Sequence, residues 1–88
     1  MSGIYILESL KNHSYYIGST NDINRRLREH NDGLVKSTKN ILPLELKLFF
    51  ECDNLKEARR LEYKIKKLKR KDLIERMIQD KKVLLKTS

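Results

Sequence analysis

The 88-residue sequence predicts an α+β domain in which a small three-stranded antiparallel sheet, a β-hairpin plus a third strand, is flanked by three helices. Three observations carry that prediction. Near the N-terminus, residues of β-branched and aromatic type stand on both sides of a short polar run, which is the pattern of a hairpin. A period-two stretch follows near the middle of the chain. Apolar residues recur at spacings of three and four in one segment between the strands and in two segments after them.

The hairpin strands are Gly3 to Glu8 and Tyr15 to Gly18, separated by Lys11-Asn12-His13-Ser14. A register that pairs Tyr5 with Tyr16 sets both side chains on one face, and Gly18 shares that face two residues on. A glycine there either supplies an unusual turn conformation or lets a substrate backbone come close, and the two are compatible. Thr20 and Asn21 are candidate N-caps for a helix from about Asp22 to Asn31, with Gly33 just past its end. Ile23 and Leu27 must point at the core, and Arg26 and His30 fall beside them on the same side. A permanent cation and a titratable imidazole therefore flank a buried seam near Tyr16, an arrangement that suits binding and turning over an anion.

From Asp32 to Pro43 no period is visible, and Lys36, Ser37, Thr38, Lys39 and Asn40 mark a basic connecting loop. Leu44, Leu46, Leu48, Phe50 and Cys52 then alternate with Glu45, Lys47, Phe49 and Glu51, as in a half-buried strand. With a helix between the second and third strands, the economical topology lays the third antiparallel to the first, through a right-handed crossover. A second helix, N-capped by Asp53 or Asn54, runs from Leu55 to about Lys69 with Leu55, Ala58, Leu61, Ile65 and Leu68 in one stripe. Glu62 falls inside that stripe. Burying an unpaired charge costs on the order of several kcal/mol, so this carboxylate is expected to bind a metal or to form a salt bridge with a neighbouring Lys or Arg, Arg26 among them. Leu73, Ile74, Met77 and Ile78 form the stripe of a third helix. One domain over 1–80 and a basic C-terminal tail over 81–88 account for the chain.

Lys and Arg number 20 against 12 Asp and Glu, a net charge of +8, which makes a polyanion the first partner to consider. The single cysteine, Cys52, is expected to be a buried structural thiol, and an intracellular location, cytoplasmic or nucleoid-associated, is expected with it. The sequence predicts neither a secretory signal nor a membrane span.

Gly3-Ile4-Tyr5 and Tyr16-Ile17-Gly18 are followed by Ser19-Thr20, Arg25-Arg26-Leu27 and Glu29-His30-Asn31-Asp32-Gly33, then by Pro43-Leu44, Glu57-Ala58, and Glu62 with Lys66-Lys67-Leu68. In this order and spacing the set resembles the GIY-YIG nuclease superfamily, in particular its small single-domain members, from Gly3 to about Ile74. The resemblance implies phosphodiester cleavage in DNA with one divalent metal, Mg²⁺ or Mn²⁺. It implies Glu62 as metal ligand, Arg26 as phosphate-binding cation, and Tyr5, Tyr16 and His30 as the polar residues around an attacking water. It also implies a DNA-contacting set of Gly18, Ser19, Arg25, Arg26, Lys66 and Lys67. Ser19 stands where some relatives have a lysine, and the asparagine that larger relatives have downstream of the metal glutamate has no counterpart after Glu62.

Of the two tyrosines, Tyr16 is preferred as proton acceptor, with Tyr5 hydrogen-bonding and His30 as orienter or alternative base. So small a domain offers little surface for reading bases, which points to branched or single-stranded DNA or to a protein partner that supplies targeting. A catalytically weak or inactive nucleic-acid-binding domain and a protein-interaction module are the competing readings.

Overall fold

Both faces of β1 (Gly3–Ser9) are buried, and that organises the molecule. In the computed structural model, which describes residues 1–81, β1 is the central strand of the order β2-β1-β3, with β2 spanning Tyr15–Thr20 and β3 spanning Leu44–Glu51. Both neighbours run antiparallel to it, as the sequence predicts. The helices are α1 (Ile23–Asn31), α2 (Leu55–Leu68) and α3 (Lys71–Asp80), so the α+β architecture is the expected one. Apart from Lys81, the expected tail lies outside the described residues. Among the described residues no helix is long and apolar enough to cross a membrane.

Alternation along β1 sends Ile4 and Ile6 to one face and Tyr5 and Leu7 to the other. The first face packs Ile4, Ile6, Ile17 and Leu48 against Ala58, Leu61 and Ile65 of α2 and Met77 of α3. The second gathers Tyr5, Leu7 and Leu44 with Ile23 and Leu27 of α1.

Two details of the strands differ from the expectation. Tyr5 pairs with Gly18 and Tyr16 with Leu7, a slip of two residues that preserves the face because side chains alternate with period two. In β3 the register jumps from Ile6–Leu48 to Leu7–Leu46, which leaves Lys47 as an inserted residue. Leu44 and Leu46 consequently join Tyr5's face while Leu48 joins the other, and Phe49, expected on the polar side, is half-buried beside Tyr5. A single alternating stripe became two short ones.

The cap of α1 is Asp22, whose side chain accepts from the Arg25 N–H, and not Thr20 or Asn21; Thr20 is the last residue of β2. Gly33, with φ of 77°, supplies the left-handed turn just beyond α1. Asn54 caps α2 by accepting from the Glu57 N–H. Leu68, expected in the α2 stripe, is exposed, and Cys52 lies just past β3, half-buried, with burial raising its thiol pKa.

Candidate active site

Tyr5 lies across Gly18 of the neighbouring strand, so close that a Cβ at position 18 would fall on the Tyr5 hydroxyl and ring. Gly18 thus makes room for a side chain of this protein; its φ is not in the left-handed region, and the space is not left for a substrate. The ring is held from three sides. Its hydroxyl is 2.9 Å from His30 Nε2 and accepts from Arg26 Nε at 3.3 Å, while Tyr16 stands 6.3 Å away between ring centroids.

His30, fully buried, is the most enclosed residue of α1. Its Nδ1 lies 2.7 Å from Thr38 Oγ1, and the Thr38 hydroxyl reaches the Val35 carbonyl at 3.4 Å. Hydroxyls and imidazoles give one proton per bond, so the directions follow from the carbonyl inward. Thr38 donates to Val35 and accepts from His30 Nδ1–H; His30 Nε2 accepts the Tyr5 proton; Tyr5 oxygen accepts from Arg26. Burial, with Arg26 nearby, lowers the His30 pKa to about 4, which keeps the ring neutral in this chain. Burial also raises the Tyr5 phenol, outweighing the pull of Arg26 in the opposite direction. Tyr5 is accordingly a neutral hydrogen-bonding group.

Asn31 keeps this arrangement closed. Its side chain donates to the Leu44 carbonyl at 3.0 Å and accepts from the Leu44 N–H at 2.8 Å, clamping the 32–43 loop so that Thr38 sits under His30. Neither Thr38 nor Asn31 is singled out by periodicity, because a hydroxyl and an amide in and beside a polar loop look like any others.

The second half of the site comes from the opposite face. Ser19 points away from Gly18 and donates to Glu62 Oε1 at 2.7 Å, and Lys66, one turn along α2, donates to Glu62 Oε2 at 2.7 Å. Glu62 is therefore paired as expected of a carboxylate in an apolar stripe, but with Lys66; Arg26 instead bonds Glu29 at 3.2 Å through Nη1. Lys66 Nζ also sits 5.4 Å from the centre of the Tyr16 ring. The two halves meet because β2 is an edge strand, so Tyr16 from one face and Glu62 from the other come together around that edge.

Beside the Ser19–Glu62 pair, Arg25, Arg26 and Arg59 line a cleft of about 320 Å³ together with Glu29. Arg59 belongs with the arginines of α1 at this cleft although the residue motifs name only Arg25 and Arg26. Of the expected DNA-contacting set, Ser19, Arg25 and Arg26 line this cleft, whereas Gly18 lies under Tyr5, Lys66 pairs with Glu62 and Lys67 is exposed on α2.

Among the described residues no cluster of three or more His, Cys, Asp or Glu could hold a metal. The donor chemistry at Glu62 nonetheless fits a hard cation such as Mg²⁺, which takes oxygen ligands and commonly binds through a single carboxylate and retained water. Each Glu62 oxygen has one protein donor and so keeps a further lone pair.

A GIY-YIG catalytic domain matches residues 1–77, and the chain belongs to that family. Its relatives include a UPF0213 protein of Bacillus licheniformis, 45% identical over 80 residues, covering 89% of this chain and 79% of the relative. A UPF0213 protein of Halobacterium salinarum is 39% identical over 71 residues, covering 80% of this chain and 91% of its own. The fold is similar to the solution NMR structure of the UPF0213 protein BH0048 from Bacillus halodurans, with a TM-score of 0.55 at 29% identity, covering 92% of this chain and 86% of that one.

Proposed function

We propose that the protein is a metal-dependent endonuclease that cleaves phosphodiester bonds in branched or single-stranded DNA, in repair or processing. The observation that carries this is the meeting of Glu62, Ser19 and Lys66 with Tyr16, Tyr5 and Arg26 around the edge of β2. It sets a carboxylate, a fixed guanidinium and a phenol side by side, which is what in-line phosphoryl chemistry needs.

Arg26 is oriented by Tyr5 at Nε and by Glu29 at Nη1, so it meets a phosphate already aimed, with little left to order on binding. His30 and Thr38 hold Tyr5, and Tyr5 holds Arg26; these are positioning contacts. Tyr16, half-exposed at the edge with Lys66 Nζ 5.4 Å from its ring centre, would take the proton from an attacking water. Glu62, oriented by Ser19, would hold Mg²⁺ or Mn²⁺, and the cation would supply charge neutralisation at the phosphate and at the departing oxygen. The small surface makes a protein partner for targeting part of the same proposal.

Incubation with flap, fork, bubble and duplex DNAs, with Mg²⁺ or Mn²⁺ and with chelator, tests the reading. Nicking of the branched or single-stranded members that chelator abolishes, and that Arg26→Lys largely loses at an unchanged thermal midpoint, is the expected result. A binding-only domain is the second reading, favoured by one fact: both oxygens of Glu62 are already engaged. It predicts steeply salt-dependent DNA binding with no metal-dependent cleavage of any of these DNAs.

A further inference from the structure

Along the open edge of β2, on the far side of Glu62 from the arginine cleft, runs a groove of about 420 Å³ between that strand and the joint of α2 with α3. It shares Tyr16 and Lys66 with the candidate active site, so whatever occupies it is continuous with the scissile position. Its apolar surface is made by Ile17, Ile65 and Ile74 and its aromatic surface by Tyr15 and Tyr16. Lys66, Lys69, Arg70 and Lys71 stand around it, and no aspartate or glutamate lines it.

The cations divide into two kinds. Arg70 is held by Asp72 at 2.7 Å and Lys66 by Glu62, whereas Lys69 and Lys71 have no ion pair among the described residues. Lys71 instead rests its ammonium 5.8 Å from the centre of the Tyr15 ring, as Lys66 does over Tyr16. Long lysine stems let such heads swing off a ring onto a phosphate, which uncovers the π-face beneath.

We infer that this groove is a subsite for an unpaired nucleotide flanking the cleaved bond, its base stacking on Tyr15, which lies on the α2 and α3 face of the sheet, and its phosphates meeting Lys69 and Lys71. Three features choose that occupant. The charge is complementary to a polyanion, the volume lies in the range of roughly 300–1,000 Å³ that encloses a small-molecule-sized ligand, and aromatic rings bordered by cations are what single strands use. A paired base has its faces covered by its stacked neighbours and cannot enter. The inference rests on the nuclease reading for the word "cleaved" but makes its own claim about strand state, so a strand crossing from the arginine cleft over Glu62 would be read as single at the β2 edge.

Binding of a short labelled single strand and of a duplex of equal length, in chelator so that nothing is cut, tests the subsite on the full chain. Tyr15→Leu keeps apolar bulk and removes the ring; it should weaken single-strand binding about tenfold and leave duplex binding within about twofold. A 2-aminopurine in the strand should change its fluorescence on the native protein and not on Tyr15→Leu. Lys71→Glu should lose more single-strand affinity than Lys64→Glu, an equal charge change at an exposed α2 position that does not line the groove. Should Tyr15→Leu lower the melting midpoint too far to use, the two lysine variants decide. Equal losses for single strand and duplex, no loss for either, or displacement of the strand by an acidic peptide as readily as by unlabelled strand would overturn the proposal. Absence of cleavage alongside strand-selective binding would instead fault the nuclease reading and leave the subsite standing.

Discussion

Under α2 and α3 the sheet buries Ile4, Ile6, Ile17 and Leu48 with Ala58, Leu61, Ile65 and Met77, a set without a polar side chain. Under α1 the same three strands bury Tyr5 and Leu7 beside His30, Thr38 and Ser9, each polar atom with a partner. The aliphatic face depends on volume and tolerates changes that preserve it, because dispersion and transfer are nearly directionless. Hydrogen bonds between buried groups are directional, and a missing partner costs the desolvation of the one left behind. One face therefore stabilises the fold while the other aims Tyr5 and Arg26, and Glu62 reaches around the edge from the first face to the second. Substitutions on either side separate these two jobs.

The largest effect is expected at Glu62, the point where the faces meet. Glu62→Gln should lower metal-dependent nicking by at least about a thousandfold. Stability should shift by less than about 1 kcal/mol, since the released Lys66 is 47% exposed and can turn to water. An active Glu62→Gln protein would sink the metal-site reading. Met77→Ala, on the aliphatic face, should cost about 2–5 kcal/mol in denaturant unfolding while cleavage per folded molecule stays native, since Met77 is a fully enclosed core side chain that lines neither the arginine cleft nor the groove along β2.

His30 sharpens the contrast through pH. Burial lowers its pKa from the ordinary histidine value of 6.5 to about 4 on folding, so the unfolded chain binds the proton first. Stability is thus fully present above about pH 6.5, declines as pH drops towards 4, and levels below it, by up to about 3 kcal/mol if the shift is fully expressed. His30→Gln should remove that part of the slope in thermal midpoints measured across the window. A native slope in the variant would assign the titration elsewhere.

The smallest expected effect is at Thr38. Thr38→Val keeps the shape, strands His30 Nδ1–H and should cost about 2 kcal/mol. Cleavage should drop modestly, with Thr38→Ser restoring both. Equal activity in all three proteins would mean that Tyr5 is held without the loop.

The hairpin, the third strand, the three helices and their order were legible because each rests on a local period of 2 or 3.6 and on neighbouring cap residues. The motif set Gly3-Ile4-Tyr5 through Lys66-Lys67 was legible only through its resemblance to a known family, while Arg26 and His30 could be placed on one side of α1 by spacing alone. Local periods do not say which strand residues face each other, so the pairing of Tyr5 with Gly18, the inserted Lys47 and the division of Leu44 and Leu46 from Leu48 were decided by how both faces of β1 fill. The partners of buried polar groups were decided the same way. Lys66 in place of Arg26 at Glu62, and Thr38 at His30, are choices among similar side chains made by distance in the folded chain, and distance in space is the one quantity that spacing along a sequence does not contain.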